Sequence, residues 1–179
     1  MTPDDTFTLA LSFTLRPDIE GGKTVDQGGL TNHGIRQDLY DAWCQSNKKP
    51  RLSVMSLTDD EIAEYYKAAY WTAPHINLLA VTNPATACAL FDAGVNAGDG
   101  AEIKVLQRVL GVQNDGVLGS GTCAAASKKP DLALALEFND GRREHYHDVV
   151  AAKPAYKNDL AGWLNRVSKM DSFLKANFA

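Results

Sequence analysis

From Ile35 onward the apolar residues of this chain recur at helical spacing, in stretches bounded by recognisable start and stop signals. Thr58-Asp59-Asp60-Glu61 is a capping box, and Ile62, Tyr66, Ala69, Tyr70 and Ala73 mark one face of the helix it opens, which Pro74 ends. Asn83-Pro84 opens a second helix with Ala87, Leu90, Phe91 and Gly94 on a common face and Gly98 as its stop. Ile103, Leu106, Val109 and Leu110 predict a third, closed by Gly111. Further helices are expected at Ile35 to Ser46, at Cys123 to Lys128, from Pro130 to about Val150 with a weak point at Gly141, and from Asn158 to about Ala176. In the last of these Leu160, Trp163, Leu164, Val167 and Leu174 form the apolar stripe.

Only the first 34 residues break this rule. Phe7 to Leu15 fits either a strand or a helix, and the stripe Phe7, Leu11, Leu15 favours a helix that ends near Glu20, because Pro17 and Gly21-Gly22 bracket the next residues. The segment from Asp26 to Ile35 contains a Gly-Gly pair suited to a hairpin turn. A turn centred on Gly28-Gly29 sets Asp26 opposite Thr31, on one face with Thr24 and His33. The expected fold class is therefore α+β and predominantly α, with a small β-hairpin after the first helix.

A hydrophobic fraction of 45% in 179 residues is enough for one well-formed core. The formal charge of -4 argues against a protein built to neutralise nucleic-acid phosphates, so no nucleic-acid partner is expected. Cys44, Cys88 and Cys123 form no CxxC pair, which suits a reducing cytoplasm. The start Met1-Thr2-Pro3-Asp4-Asp5 is acidic where a signal peptide is basic, and no apolar run approaches the roughly 20 residues of a membrane span. Synthesis in the cytoplasm without a signal peptide, no membrane insertion and a monomeric state are the corresponding expectations.

A glutamate at a loop rim followed by an Asp and a Thr on a hairpin can cleave a glycosidic bond. Glu20 would donate a proton to the leaving oxygen, and Asp26 with Thr31 would position water or stabilise the developing oxocarbenium charge. On the pattern alone, a solvated Glu20 and ordinary turn residues at Asp26 and Thr31 are the simpler reading. His145-Tyr146-His147 points its two rings apart on a helix, so no metal is expected there, and Asn114-Asp115-Gly116 reads as a turn rather than a calcium loop. Cys88 lies on an apolar face and reads as core. Of the aromatic residues near Tyr66, Trp71 is the candidate for a sugar-stacking cleft residue, together with Asn96 and His33 as substrate-binding positions.

Glu20-Gly21-Gly22 and the following Asp26-Gln27-Gly28-Gly29-Leu30-Thr31-Asn32-His33-Gly34-Ile35 resemble the E-G-G … D-x-G-G-x-T-x-x-G-I signature of glycoside hydrolase family 108. Tyr70-Trp71, the stretch from Phe91 to Gly98, Leu106-Gln107-Arg108, Asp115 to Gly119 and Gly162-Trp163-Leu164-Asn165-Arg166-Val167 are similar to later motifs of that family, in the same order. The resemblance implies a lysozyme-like fold and an N-acetylmuramidase that cuts the β-1,4 bond between N-acetylmuramic acid and N-acetylglucosamine in bacterial peptidoglycan, without cofactor or metal. It carries the acid role to Glu20 and motif positions to Asp26 and Thr31. It also implies a catalytic lobe over residues 1–98 and a helical peptidoglycan-binding-like lobe over 99–179, packed as one unit. The connection Lys23-Thr24-Val25 is shorter than the family's, which keeps open a rival reading: a catalytically weakened module that binds glycan or a protein partner.

Overall fold

The computed structural model describes residues 1–26 and 29–179, apart from the side chain of Asp26. Helix α1 (Pro3–Thr14) precedes an antiparallel sheet of β1 (Lys23–Asp26), β2 (Gly29–Asn32) and β3 (Ile35–Arg36) in that spatial order. There follow α2 (Gln37–Ser46), α3 (Asp59–Tyr66), a π-helical segment at Lys67–Thr72, α4 (Ile76–Leu79) and α5 (Pro84–Ala97). The remainder comprises α6 (Asp99–Leu110), α7 (Ser120–Ala126), α8 (Asp131–Ala152) and α9 (Leu160–Phe178). The expected class, a predominantly helical α+β chain with a small sheet after its first helix, is what the structure has. No described helix is long and apolar enough to cross a membrane.

Helix α5 is the axis of the core. Every residue from Ala85 to Gly94 is buried, so this helix is enclosed on all sides by α1, α6, α8 and α9. Alanine at 85, 87, 89 and 93 keeps its girth small enough for neighbours on every side. Phe7 from α1, Trp71 from the π-helical segment and Phe91 from α5 meet with ring centroids 5.6 to 5.9 Å apart, clamping the first half of the chain onto the axis.

Several sequence expectations need correction. Helix α1 ends at Thr14, and a turn, not helix, carries the chain to Glu20. Ile35 and Arg36 form a third strand rather than the first turn of α2, because Ile35 is buried beside Asn32, whose amide donates to the Val54 carbonyl at 2.7 Å. That buried pair fixes which residues of β2 face inward. The hairpin register lies two residues from the expected one: Asp26 pairs with Gly29 in place of Thr31, and Thr31 pairs with Thr24 and Arg36. The expected turn at Gly28-Gly29 falls partly on residues 27 and 28, which lie outside the described residues. Gly141 is no weak point, since α8 runs through it without a break. A Cβ there would lie 3.0 Å from Val105, so the glycine lets α6 and α8 approach.

The helix opened by the Thr58 capping box does not stay α-helical. After Tyr66 it widens, with the Ala73 amide donating to the Ala68 carbonyl five residues back. The extra residue per turn moves the inward position from Tyr70 to Trp71, so both Tyr66 and Trp71 are 1% exposed while Tyr70 is only partly buried.

The first turn of α5 has no cap from its own Asn83. Asp131, at the start of α8, accepts from the backbone amides of Ala85 and Thr86 at 2.7 and 3.0 Å and from the Thr86 hydroxyl at 2.9 Å. Asp131→Ala leaves these partly buried donors without an acceptor and is expected to destabilise the fold by about 2 kcal/mol, read as a lower urea midpoint with an unchanged slope.

Candidate active site

Glu20 sits at the end of a tight turn in which its amide donates to Thr14 and the Gly21 amide to Arg16. A Cβ on Gly21 would lie 2.2 Å from the Pro17 Cα, so the turn closes only with glycine there. The His33 amide donates to the Gly22 carbonyl at 2.8 Å and ties this turn to the sheet. At the far end of β2, Gly34 adopts φ 77°, and a Cβ on it would lie 2.8 Å from Glu20 Oε2 and 2.9 Å from the Tyr66 hydroxyl. One carboxylate oxygen of Glu20 therefore rests against bare backbone. The Tyr66 hydroxyl donates to the His33 carbonyl at 2.6 Å. Burial, reinforced by the Glu20 charge, pushes that phenol far above its usual range and keeps it a donor.

The other oxygen of Glu20 accepts from Arg166 of α9. The same guanidinium pairs with Asp92 of α5 at 2.9 Å and reaches the Asn96 side-chain oxygen at 3.3 Å. Asp92 is wholly buried and also pairs with the buried Arg142 of α8 at 3.2 Å. Arg142 in turn donates to the Tyr146 hydroxyl at 3.3 Å, and Asn96 donates to that hydroxyl at 3.1 Å. Although burial opposes its charge, the facing carboxylates of Asp92 and Glu20 hold Arg166 cationic well above the usual range. A cavity of about 280 Å³ opens beside this group, between Asp18-Ile19, Asn96 and the α9 residues Trp163, Asn165 and Lys169.

Two guanidiniums, Arg142 and Arg166, thus face two carboxylates: with Glu20 ionised Arg166 serves both Asp92 and Glu20, and without that charge it shares Asp92 with Arg142.

Of the residues singled out in the sequence, Glu20 and Asn96 meet on Arg166, and His33 is tied to the Glu20 turn through its backbone. His33 is partly buried in a left-handed conformation (φ 48°), its Nδ1 2.7 Å from the Asn32 side-chain oxygen. Asn96 is partly buried and held between Arg166 and Tyr146. Thr31 is partly buried on β2 and faces Thr24, not Asp26. The side chain of Asp26, and with it the expected partnership with Glu20, lies outside the described residues. Trp71 is not a cleft residue: the π turn packs it into the aromatic core, where no sugar can reach it. Among the described residues no cluster of three potential metal ligands occurs.

The sequence reading passed over Asp92, Arg142 and Arg166. A signal was present. Asp92 interrupts the otherwise apolar run Ala89 to Ala93, and Arg166 stands between Trp163 and Val167 on the stripe of α9. A charge on a buried face requires an opposite charge on another.

Residues 17–98 match the family model described as glycosyl hydrolase 108, and residues 101–168 match one described as a predicted peptidoglycan domain. Among solved structures, that of Brucella abortus SagA is similar, with 28% identity and a TM-score of 0.76 over 97% of this chain and 95% of that one. No curated protein matches.

Behind Arg142, Glu102 is wholly buried with both carboxylate oxygens lacking a hydrogen-bond partner among the described residues. Burial, opposed by the Arg142 charge, pushes its carboxyl from 4.5 up to about 7. Because the folded value lies above the unfolded one, the stability tied to this group is fully present below pH 4.5 and is lost as pH rises toward 7. The loss amounts to about 3 kcal/mol at most, at about 1.4 kcal/mol per pH unit. Glu102→Gln is expected to remove that dependence, so urea unfolding between pH 5 and 8 should show the variant gaining on the parent as pH rises.

Proposed function

Residues 17–98 of this chain belong to the glycosyl hydrolase 108 family and residues 101–168 to a peptidoglycan domain family, and for a glycoside hydrolase so assembled we propose the activity of a peptidoglycan muramidase. The bond cleaved is the β-1,4 link between N-acetylmuramic acid and N-acetylglucosamine. Glu20 is the general acid: it protonates the glycosidic oxygen as the bond to the anomeric carbon lengthens. Arg166 withdraws onto Asp92 while Glu20 carries its proton, then steadies the carboxylate that results. Asp26 and Thr31 of the hairpin position the attacking water or stabilise the oxocarbenium charge. His33 and Asn96 border the bound sugar.

The observation that carries this reading is the placement of Glu20, with one oxygen against the sheet at Gly34 and the other on Arg166, which itself lines an open cavity. The proposed division into a catalytic lobe, 1–98, and a substrate-gripping lobe, 99–179, is compatible with one packed unit, because Arg166 comes from the second lobe and completes the site of the first. The enzyme acts on the cell wall after release or delivery, and as a monomer.

Purified peptidoglycan incubated with the protein is expected to yield muropeptides with reducing-end muramic acid, identified by mass spectrometry. An unchanged wall to which the protein adheres would replace the muramidase with the binding module. Glu20→Gln keeps the shape of the side chain but cannot supply the proton, and should lower turnover by at least 10²-fold with an unchanged circular dichroism spectrum. Thr31→Ala is expected to lower kcat more than it raises KM, since its contribution arises as charge develops in the transition state.

A further inference from the structure

A second cavity, of about 350 Å³, lies between the π-helical segment and the start of α6. Its walls are largely apolar: Ala69, Ala73 and Pro74 on one side, Ile103 and Leu118 on the other. Two ionisable side chains line it, Asp99 and His75, the latter held at the rim by a left-handed backbone (φ 65°). The cavity thus falls where the glycosyl hydrolase region meets the peptidoglycan domain.

Asp99 is the unusual feature. It makes no ion pair among the described residues, and its Oδ1 is buried without a hydrogen-bond partner. That oxygen fills the space a side chain would take at Gly94, where a Cβ would lie 2.1 Å from it. Lys104 of the same helix offers no counter-charge, because it runs alongside Gly116 and its charge acts on Asp115. Burial pushes the Asp99 carboxyl up to about 6, which still leaves it ionised at neutral pH. With Oδ1 packed on Gly94, the carboxylate meets the cavity through Oδ2, and a carboxylate fixed in an apolar wall with no cation of its own is matched by a cationic ligand. Apolar walls around it match a hydrocarbon chain bearing that cation.

Peptidoglycan offers few cations. Its sugars are N-acetylated and neutral, and its stem peptides carry carboxylates, so the side-chain amine of a diamino residue is its characteristic positive group. Resting on the peptidoglycan reading above, we propose that this cavity binds the alkyl-ammonium side chain of the diamino residue of a stem peptide, the methylenes between Ala73 and Ile103 and the ammonium on Asp99. The second half of the chain would then grip the stem while Glu20 addresses the glycan.

The test is an NMR titration of the full isotopically labelled chain with the synthetic peptide L-Ala-γ-D-Glu-L-Lys, with the same peptide acetylated on its side-chain amine, and with glucosamine. The lysine peptide should give saturable shifts at Ala73, His75, Gly100 and Leu118. Acetylation, and Asp99→Asn in a chain whose melting is unchanged, should each weaken binding at least tenfold. Equal binding of both peptides, shifts confined to other residues, or no shifts would overturn the proposal. Glucosamine binding as tightly as the peptide would overturn the stem assignment in favour of a sugar amine. Hydrolysis of glycan strands stripped of their stems reports the muramidase reading separately and should be the same for the parent and Asp99→Asn. Peptide binding without hydrolysis would remove the muramidase alone, and hydrolysis without peptide binding would remove this site alone.

Discussion

A single guanidinium, that of Arg166, stands between two carboxylates, and much of the molecule is arranged to keep it there. Asp92 is wholly buried, so its charge must be matched on the spot, and it is matched twice, by Arg142 from α8 and Arg166 from α9. Removing one member of such a buried group leaves another uncompensated, a cost of about 3 to 5 kcal/mol where it has been measured in other proteins. Two helices, α8 and α9, are thereby locked in angle and register against α5. The remaining valence of Arg166 goes to Glu20, which makes the position of a loop carboxylate a consequence of core packing.

The aromatic cluster provides the matching constraint on the other side of α5. Phe7, Trp71 and Phe91 fix α1 and the π-helical segment to the axis, and Tyr66, one turn before Trp71, reaches from that packing to the His33 carbonyl. The sheet has only two residues in its third strand and would be marginal alone. It is held in place by this hydroxyl, by Asn32 on the Val54 carbonyl and by the His33 amide on Gly22. Glu20 thus lies between two rigid anchors, one ionic and one aromatic.

What was legible in the sequence was what depends on neighbours in the chain. The Thr58 capping box forms both of its reciprocal bonds, Pro84 opens α5, and Gly98 and Gly111 stop α5 and α6, because each signal acts within a turn of itself. The order and type of the elements followed from these. What was not legible depended on distant partners. The strand at Ile35 exists because Asn32 is buried against Val54, and the π turn after Tyr66 because Trp71 has Phe7 and Phe91 to meet. In the site the same division holds: the Glu20-Gly21-Gly22 turn was readable from its glycines, whereas Arg166 and Asp92 acquire meaning only when α5 and α9 are side by side.

Glu20 and Arg166 are separated by 146 positions, and joining them closes a loop that contains nearly the whole fold. Contacts of that range form after the local ones have made them entropically affordable. During synthesis the ribosome therefore delivers Glu20 long before the cation that pairs with it, and a nascent or prematurely terminated chain holds the E-G-G turn without its partner. In this architecture the ionic setting of Glu20 is a late property, acquired only when α9 has docked.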